Sequence, residues 1–212
     1  MLFKQEDIIA LLQKHSIQCN GALHVGAHEC QEMGFYERIG IAKSNMIWID
    51  ALDSMVELGK HRGIPNIYSA VITDKDNDQV TFHLASNIMS SSILEFGTHS
   101  KNHPGIRMLG AAEKTTTTLD TFLKTHKIDP NGLDFWNFDI QGAELLALKG
   151  AVGALPYAKV LYIEVNTEEV YKGCALIGEL DAFLGDHGFT RVMTDITGAG
   201  WGDAIYIRKA KD

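Results

Sequence analysis

At 212 residues, 45% of them hydrophobic and 22% charged with only 4 prolines, the chain is sized for one well-buried domain and is not composed like a disordered segment. A formal charge of -8 argues against generic binding of nucleic-acid phosphates, which takes clustered Lys and Arg. No stretch approaches the roughly 18 apolar residues of a membrane span. Three cysteines, Cys19, Cys30 and Cys174, form no CxxC pair and read as free thiols in a reducing compartment. The start MLFKQEDII lacks the unbroken apolar run of a signal peptide, so a cytoplasmic location is expected.

In chain order, residues 6–15 suit a helix packed outside the main sheet, within an N-terminal helical extension of residues 1–20. Short apolar runs then alternate with helical patterns. The runs are 22–25, 46–49, 67–72, 133–140, 160–165, 189–193 and 204–207. Several are apolar at nearly every position, as parallel strands covered on both faces are. Helices are predicted at 35–39, 54–61, 118–126, 143–149 (ended by Gly150) and 175–187 (closed by Gly188). This alternation predicts a doubly wound α/β sheet with helices on both faces, in a single domain spanning 1–212. One region, 79–117, interrupts the pattern before the fourth core strand. Residues 79–85 alternate like a strand, and 86–117 have weak periodicity, reading as an inserted loop that serves as a substrate lid. Within it, the run Ser90, Ser91, Ser92 reads as a solvated turn, and His99 and His103 as loop surface, since neither HExxH nor a cysteine partner accompanies them.

Ligands of doubly wound sheets bind beyond the carboxyl ends of the strands. The first strand ends in His24-Val25-Gly26-Ala27-His28-Glu29, where Gly26 permits a sharp turn and close approach to a ligand. The pattern GxGxxG is absent, because His28 and Glu29 stand where small residues would admit a pyrophosphate. The second strand ends in Trp48-Ile49-Asp50-Ala51, and an acid there can accept hydrogen bonds from both hydroxyls of a ribose. Its structural alternative is an exposed helix cap. Gly26 and Asp50 together point to an adenosine-type cofactor. The fourth core strand leads into Asp139, and Glu144 falls in the first turn of the next helix, where a carboxylate is favoured by the dipole. The fifth ends in Glu164-Val165-Asn166. Adjacent strand ends bring Asp139 and Glu164 to one cleft, where with Asn166 they would bind Mg²⁺ or hold a proton; the alternative is that they bond backbone amides and build the cleft wall.

The series Val25-Gly26-Ala27-His28, Trp48-Ile49-Asp50, TLDTFL (118–123), DIQGAELLALKGA (139–151) and Ile163-Glu164-Val165-Asn166 resembles the FkbM family of methyltransferases over roughly residues 20–208. The resemblance implies the Rossmann-like class I methyltransferase fold, with seven strands, mostly parallel, and residues 204–207 running antiparallel between their neighbours. It implies S-adenosylmethionine as cofactor, with Gly26 and Ala27 under its methionine and ribose portion and Asp50 on the ribose. His28 and Ala51 would complete the cofactor set, and Asp139 would face the methionine end and the acceptor. It implies O-methylation of a hydroxyl on a sugar, glycan or other small molecule. Asp139 and Glu164 are the expected acceptor-side pair, with His28 a third member. One departure stands out: His24 occupies the place where the wider class carries an acid, and it reads as a buried, hydrogen-bonded core histidine. Two other readings remain open, a non-catalytic subunit that binds S-adenosylmethionine and a nucleotide-dependent oxidoreductase. The missing glycine pattern weighs against the second.

Overall fold

The computed structural model describes residues 1–209. Ten strands and seven helices follow in the order α1 (Gln5–Lys14), β1 (Ala22–Val25), α2 (Met33–Arg38), β2 (Met46–Asp50), α3 (Asp53–His61), β3 (Ile67–Ser69), β4 (Val71–Ile72), β5 (Gln79–Ala85), α4 (His99–Asn102), β6 (Met108–Thr117), α5 (Leu119–His126), β7 (Phe135–Phe138), α6 (Glu144–Lys149), β8 (Val160–Asn166), α7 (Ile177–Asp186), β9 (Phe189–Ile196) and β10 (Trp201–Arg208). Seven strands form one sheet in the order β3-β2-β1-β7-β8-β10-β9. All its pairings are parallel except those of β10, which runs antiparallel between β8 and β9. This is the seven-stranded, Rossmann-like class I arrangement, with the predicted final strand inserted where expected.

Side chains alternate across each strand, so each face gathers its own core. Leu23, Val25, Trp136, Phe138, Leu161 and Ile163 meet Phe122 of α5, Leu148 of α6 and Leu184 of α7. On the opposite face Ala22, Met46, Trp48, Phe135 and Val160 meet Ile8 and Leu12 of α1, Phe35 of α2 and Val56 of α3. The parallel strands β1, β2, β7 and β8 are buried at every position, which is why they read as continuous apolar runs.

Two expectations about the chain's course are corrected. The run 67–72 is two strands: β3 pairs with β2, whereas β4 leaves for a second sheet of order β4-β6-β5. The turn is set at Ala70, whose N–H still bonds the Asp50 carbonyl at 3.0 Å before Val71 pairs with Thr116. Residues 86–117 are not a structureless loop either. They hold α4 and the ten-residue β6, antiparallel to β5. β6 is mostly exposed or half-buried along its length, so no apolar alternation marks it in the sequence.

The TLDTFL and DIQGAELLALKGA blocks hold each other, the Asp120 N–H donating to the Gly150 carbonyl at 3.0 Å. Thr118 caps α5 by accepting the Thr121 N–H, and Asp120 accepts the N–H groups of Gly153 and Ala154 at 2.7 and 2.8 Å. Gly150 does end α6, but for lack of space rather than for backbone freedom: its φ is -80°, and a Cβ would lie 2.0 Å from the Thr73 carbonyl oxygen. Gly150→Ala should therefore destabilise the protein by about 1–3 kcal/mol, as overpacking of a tight core does. An unchanged urea midpoint would show that the contact yields freely.

Candidate active site

Five neighbouring strands carry a related pattern towards one edge of the large sheet. Met46 and Trp48 lead to Asp50, Ala22 and His24 to Gly26, Phe135 and Asn137 to Asp139, Val160 and Tyr162 to Glu164, and in the antiparallel β10 Ile207 and Ile205 lead to Asp203. Each step of two keeps the same face, so a wall that is apolar under α1 and α2 becomes carboxylate-rich at its rim, with a glycine in the gap. His24 lies beneath that gap. It is 3% exposed, shares a 3.0 Å hydrogen bond with the Tyr36 hydroxyl and stacks on Trp48 with ring centroids 5.1 Å apart. Burial pushes its pKa down, so it is a neutral core group, as the sequence suggested.

Gly26 has φ +92°, and a Cβ on it would stand 1.9 Å from the Asp139 carbonyl oxygen. The two strand ends thus meet backbone to backbone, and only glycine fits. Above them opens a cleft with about 770 Å³ of unfilled space, its mouth included. Gly26, His28, Asp50, Ala51 and Asp139 all line it. Ile49, Met55, Val71, Ile72 and Phe82 make an apolar wall beside Asp50. Ala27 is the exception among the predicted cofactor contacts: it is 1% exposed and packs into the core beneath, so it does not line the cleft.

Asp50 is buried rather than an exposed cap, and α3 starts at Asp53. Its Oδ2 accepts the His28 N–H at 2.7 Å and its Oδ1 the Leu52 N–H at 2.8 Å. Burial raises its pKa, while these two amides pull it back. The carboxylate is oriented by backbone and keeps lone pairs for a ligand. His28, held at φ +44°, has its Nδ1 enclosed without a partner among the described residues.

Asp139 and Glu164 do come together, through a residue the sequence reading left unassigned. Gln141, at φ +59°, donates from Nε2 to Asp139 Oδ1 at 2.6 Å and to Glu164 Oε2 at 2.7 Å, and its Oε1 accepts from the Tyr171 hydroxyl at 2.6 Å. Burial drives the Glu164 pKa well up, and the charges of Asp139 and Glu144 add to the effect. Burial thus favours the protonated form of Glu164. Glu144 turns inward at the start of α6, accepts the N–H groups of Ile140 and Gly142 at 2.9 and 3.1 Å, and has its pKa pushed up to about 7, chiefly by burial. A Mg²⁺ site, one of the alternatives the sequence leaves open, does not fit these donors. An amide N–H group bridges the two carboxyls where a cation would sit, and Asn166, 1% exposed, lines neither this cleft nor its neighbour. Among the described residues no group of three or more His, Cys, Asp or Glu is placed to hold a metal ion.

A second cavity, with about 810 Å³ of unfilled space, lies beyond Asp139 and Gln141, which line both. Glu164, Asp203, Tyr171, Trp201, His99 and His103 line its other walls. Two expectations fail here. His99 is 5% exposed rather than loop surface, and Ser90, Ser91 and Ser92 are all buried. Ser92 Oγ donates to the Gln141 carbonyl at 2.8 Å and Ser91 Oγ accepts the Ala85 N–H at 3.1 Å, so the serine run fastens the inserted segment to the site.

The sequence matches the methyltransferase FkbM domain over residues 17–191, most of the chain. The chain belongs to the FkbM methyltransferase family. No curated protein matches its sequence. Among solved structures, magnesium protoporphyrin IX methyltransferase from Synechocystis PCC 6803 with bound SAM aligns at TM-score 0.46 and 11% identity over 97% of this chain and 78% of that one. A SAM-dependent methyltransferase from Aquifex aeolicus aligns at TM-score 0.41 and 15% identity over 97% and 89%. The family match makes the chain a methyltransferase, and no helix of its described residues is long and apolar enough to cross a membrane.

Besides Gln141, Asp203 and Tyr171 are not marked by the sequence, and His99 is marked there only as loop surface. Asp203 carried a usable signal, an acid directly before an apolar run at the rim, the same cue that singled out Glu164. The raised carboxyls set the pH response. The stability that Glu144 gains from its bound proton is fully present below its ordinary value of 4.5 and is lost as pH rises through about 7. Thermal midpoints should therefore slope downward across that window, and Glu144→Gln, which keeps the acceptor oxygen, should flatten part of the slope. Parallel slopes for the two proteins would contradict a buried, protonated Glu144.

Proposed function

We propose that this FkbM methyltransferase methylates a hydroxyl group of a sugar, glycan or other small molecule. The observation that carries the reading is that Asp50 and Asp139 stand on one cleft, with Gly26 between them too crowded for any side chain. The residues present suit the donor. Asp50, fixed by two backbone amides, would accept the ribose hydroxyls. The apolar wall of Ile49, Met55, Val71, Ile72 and Phe82 would flank an adenine. Gly26 would let the chain lie against the methionine portion, and Ala51 and His28 would close the sides. His28 lines the cleft with its Nδ1 enclosed, which leaves Nε2 as the nitrogen to meet a ligand.

When bound, S-adenosylmethionine supplies a methyl group on a positively charged sulfur. The chain's task is then to align an acceptor oxygen with it and keep water away. Asp139 is placed for this, because it lines both cavities and its charge favours a cation on the donor side. Glu164 acts behind it: holding a proton and Gln141, it fixes the Asp139 carboxylate rather than accepting a second proton. His28 lines the donor cleft alone. The inserted residues 79–117 roof both cavities through Phe82, Met89 and His99, which supports a lid role.

Two substitutions separate binding from transfer. Asp50→Ala should weaken S-adenosylmethionine binding by about 10–100-fold in calorimetry, the worth of a hydrogen bond to a charged group. Asp139→Asn, assayed at saturating donor, should lower transfer of labelled methyl into fractionated glycans and small molecules by about 100-fold or more, beyond the loss of donor binding that the missing charge causes. Binding by the wild type without any labelled product would leave a cofactor-binding subunit instead. Unchanged transfer by Asp139→Asn would move the chemistry off this carboxylate.

A further inference from the structure

The second cavity contains a group that structural packing does not explain. His99 opens the short helix α4, and its ring lies nearly parallel on Phe96, with centroids 4.1 Å apart and planes 18° from each other. Tyr171 and His103 pack against it at 5.5 and 4.9 Å. A phenylalanine would fill this aromatic slot without stranding polar atoms. His99 instead encloses its Nδ1 with no partner among the described residues, so Nε2 is the nitrogen left to meet a ligand in the cavity it lines.

We propose that the second cavity receives the acceptor and that His99 Nε2 takes the proton of the acceptor's hydroxyl. This deepens the methyltransferase reading above and rests on it. As the acceptor oxygen forms its bond to the methyl carbon, the bond from that carbon to sulfur breaks, and its electron pair stays on sulfur, which loses its charge. The hydroxyl proton passes to His99, whose imidazolium later releases it to solvent. Three other candidates for the proton are engaged or elsewhere. Glu164 holds a proton, Asp139 Oδ1 accepts from Gln141 at 2.6 Å, and His28 does not line this cavity.

The surroundings suit a base that starts neutral and ends charged. Burial first, then the neighbouring His103, push the His99 pKa down and keep it unprotonated at rest. Once protonated, it shares the cavity with the acids Asp139 and Asp203, and its ring lies on the face of Phe96, where a cation is favoured. His103 and Tyr171 are the other titratable groups packed on it.

The test uses the full chain, tritiated S-adenosylmethionine and the glycan and small-molecule fraction that the wild type labels. His99→Phe keeps the aromatic packing and His99→Gln keeps a polar end, so at least one variant should fold with wild-type cofactor affinity. Either should lose kcat by about 10²–10⁴-fold with little change in KM, as removal of a general base does, and should lose the acid limb of the kcat–pH profile. Carbon-13 histidine NMR of the unliganded protein should show His99 neutral at pH 7, titrating below the ordinary value of about 6.5. A folded His99→Phe protein with wild-type kcat, or one changed only in KM, overturns the assignment and leaves the methyltransferase reading intact. A His99 already charged at pH 7 overturns it as well. A wild type that binds cofactor and labels nothing defeats the functional reading, and this assignment falls with it.

Discussion

The site depends on the close approach of two strand ends. Parallel pairing of β1 with β7 carries the Asp139 N–H onto the Val25 carbonyl at 3.0 Å, and the next turn of each chain brings Gly26 under Asp139. With no Cβ between them, the backbone of one strand end packs on the other and opens the floor of a cleft. Any larger residue at 26 would force β1 and β7 apart, and with them the carboxylates on either side. Both cavities are measured from this contact, because Asp139 belongs to the rims of both.

A row of buried acids at one edge of a sheet is costly, and the fold offsets the cost group by group. Asp50 takes two backbone amides, and Glu144 takes two more. Glu164 keeps its proton and shares Gln141 with Asp139. Asp203, directly opposite Glu164 in the antiparallel ladder, accepts from the Tyr162 hydroxyl and the Leu2 N–H. Two unprotonated carboxylates facing each other on one sheet face would repel, and a neutral Glu164 removes that conflict. The edge keeps a negative field suited to a cationic donor without stacking full charges side by side.

Much of this was legible in the sequence, and the pattern of what was missed has a physical basis. Strands buried on both faces announce themselves as apolar runs, so β1, β2, β7, β8 and the inverted β10 were placed within a few residues. Acids and a glycine at the ends of those runs marked Gly26, Asp50, Asp139 and Glu164 because they break a hydrophobic pattern. Gln141, Tyr171 and His99 break no such pattern. Their roles come from tertiary contact: a left-handed backbone at 141, a loop after β8, and a short helix inside an insertion. β6 was hidden for a different reason, since a strand exposed along most of its length has no need of apolar alternation. The serine run misled because Ser side chains buried by hydrogen bonds to backbone look, residue by residue, like a wet turn.

The switch of sheets at Ala70 has a consequence for redesign. Val71 and Ile72 form part of the wall of the first cleft, yet their strand partners are Thr116 and Thr117, at the end of the insertion whose other parts reach His99. Remodelling the insertion near its roots would therefore tug on that cleft. The tolerant place to graft new length is the distal end of the β5–β6 pair, around Ser86 and Arg107, whose N–H to carbonyl bond of 2.8 Å closes that end away from the Val71–Thr116 pair. Altered acceptor preference is best sought there, where loop closure costs grow slowly with added residues.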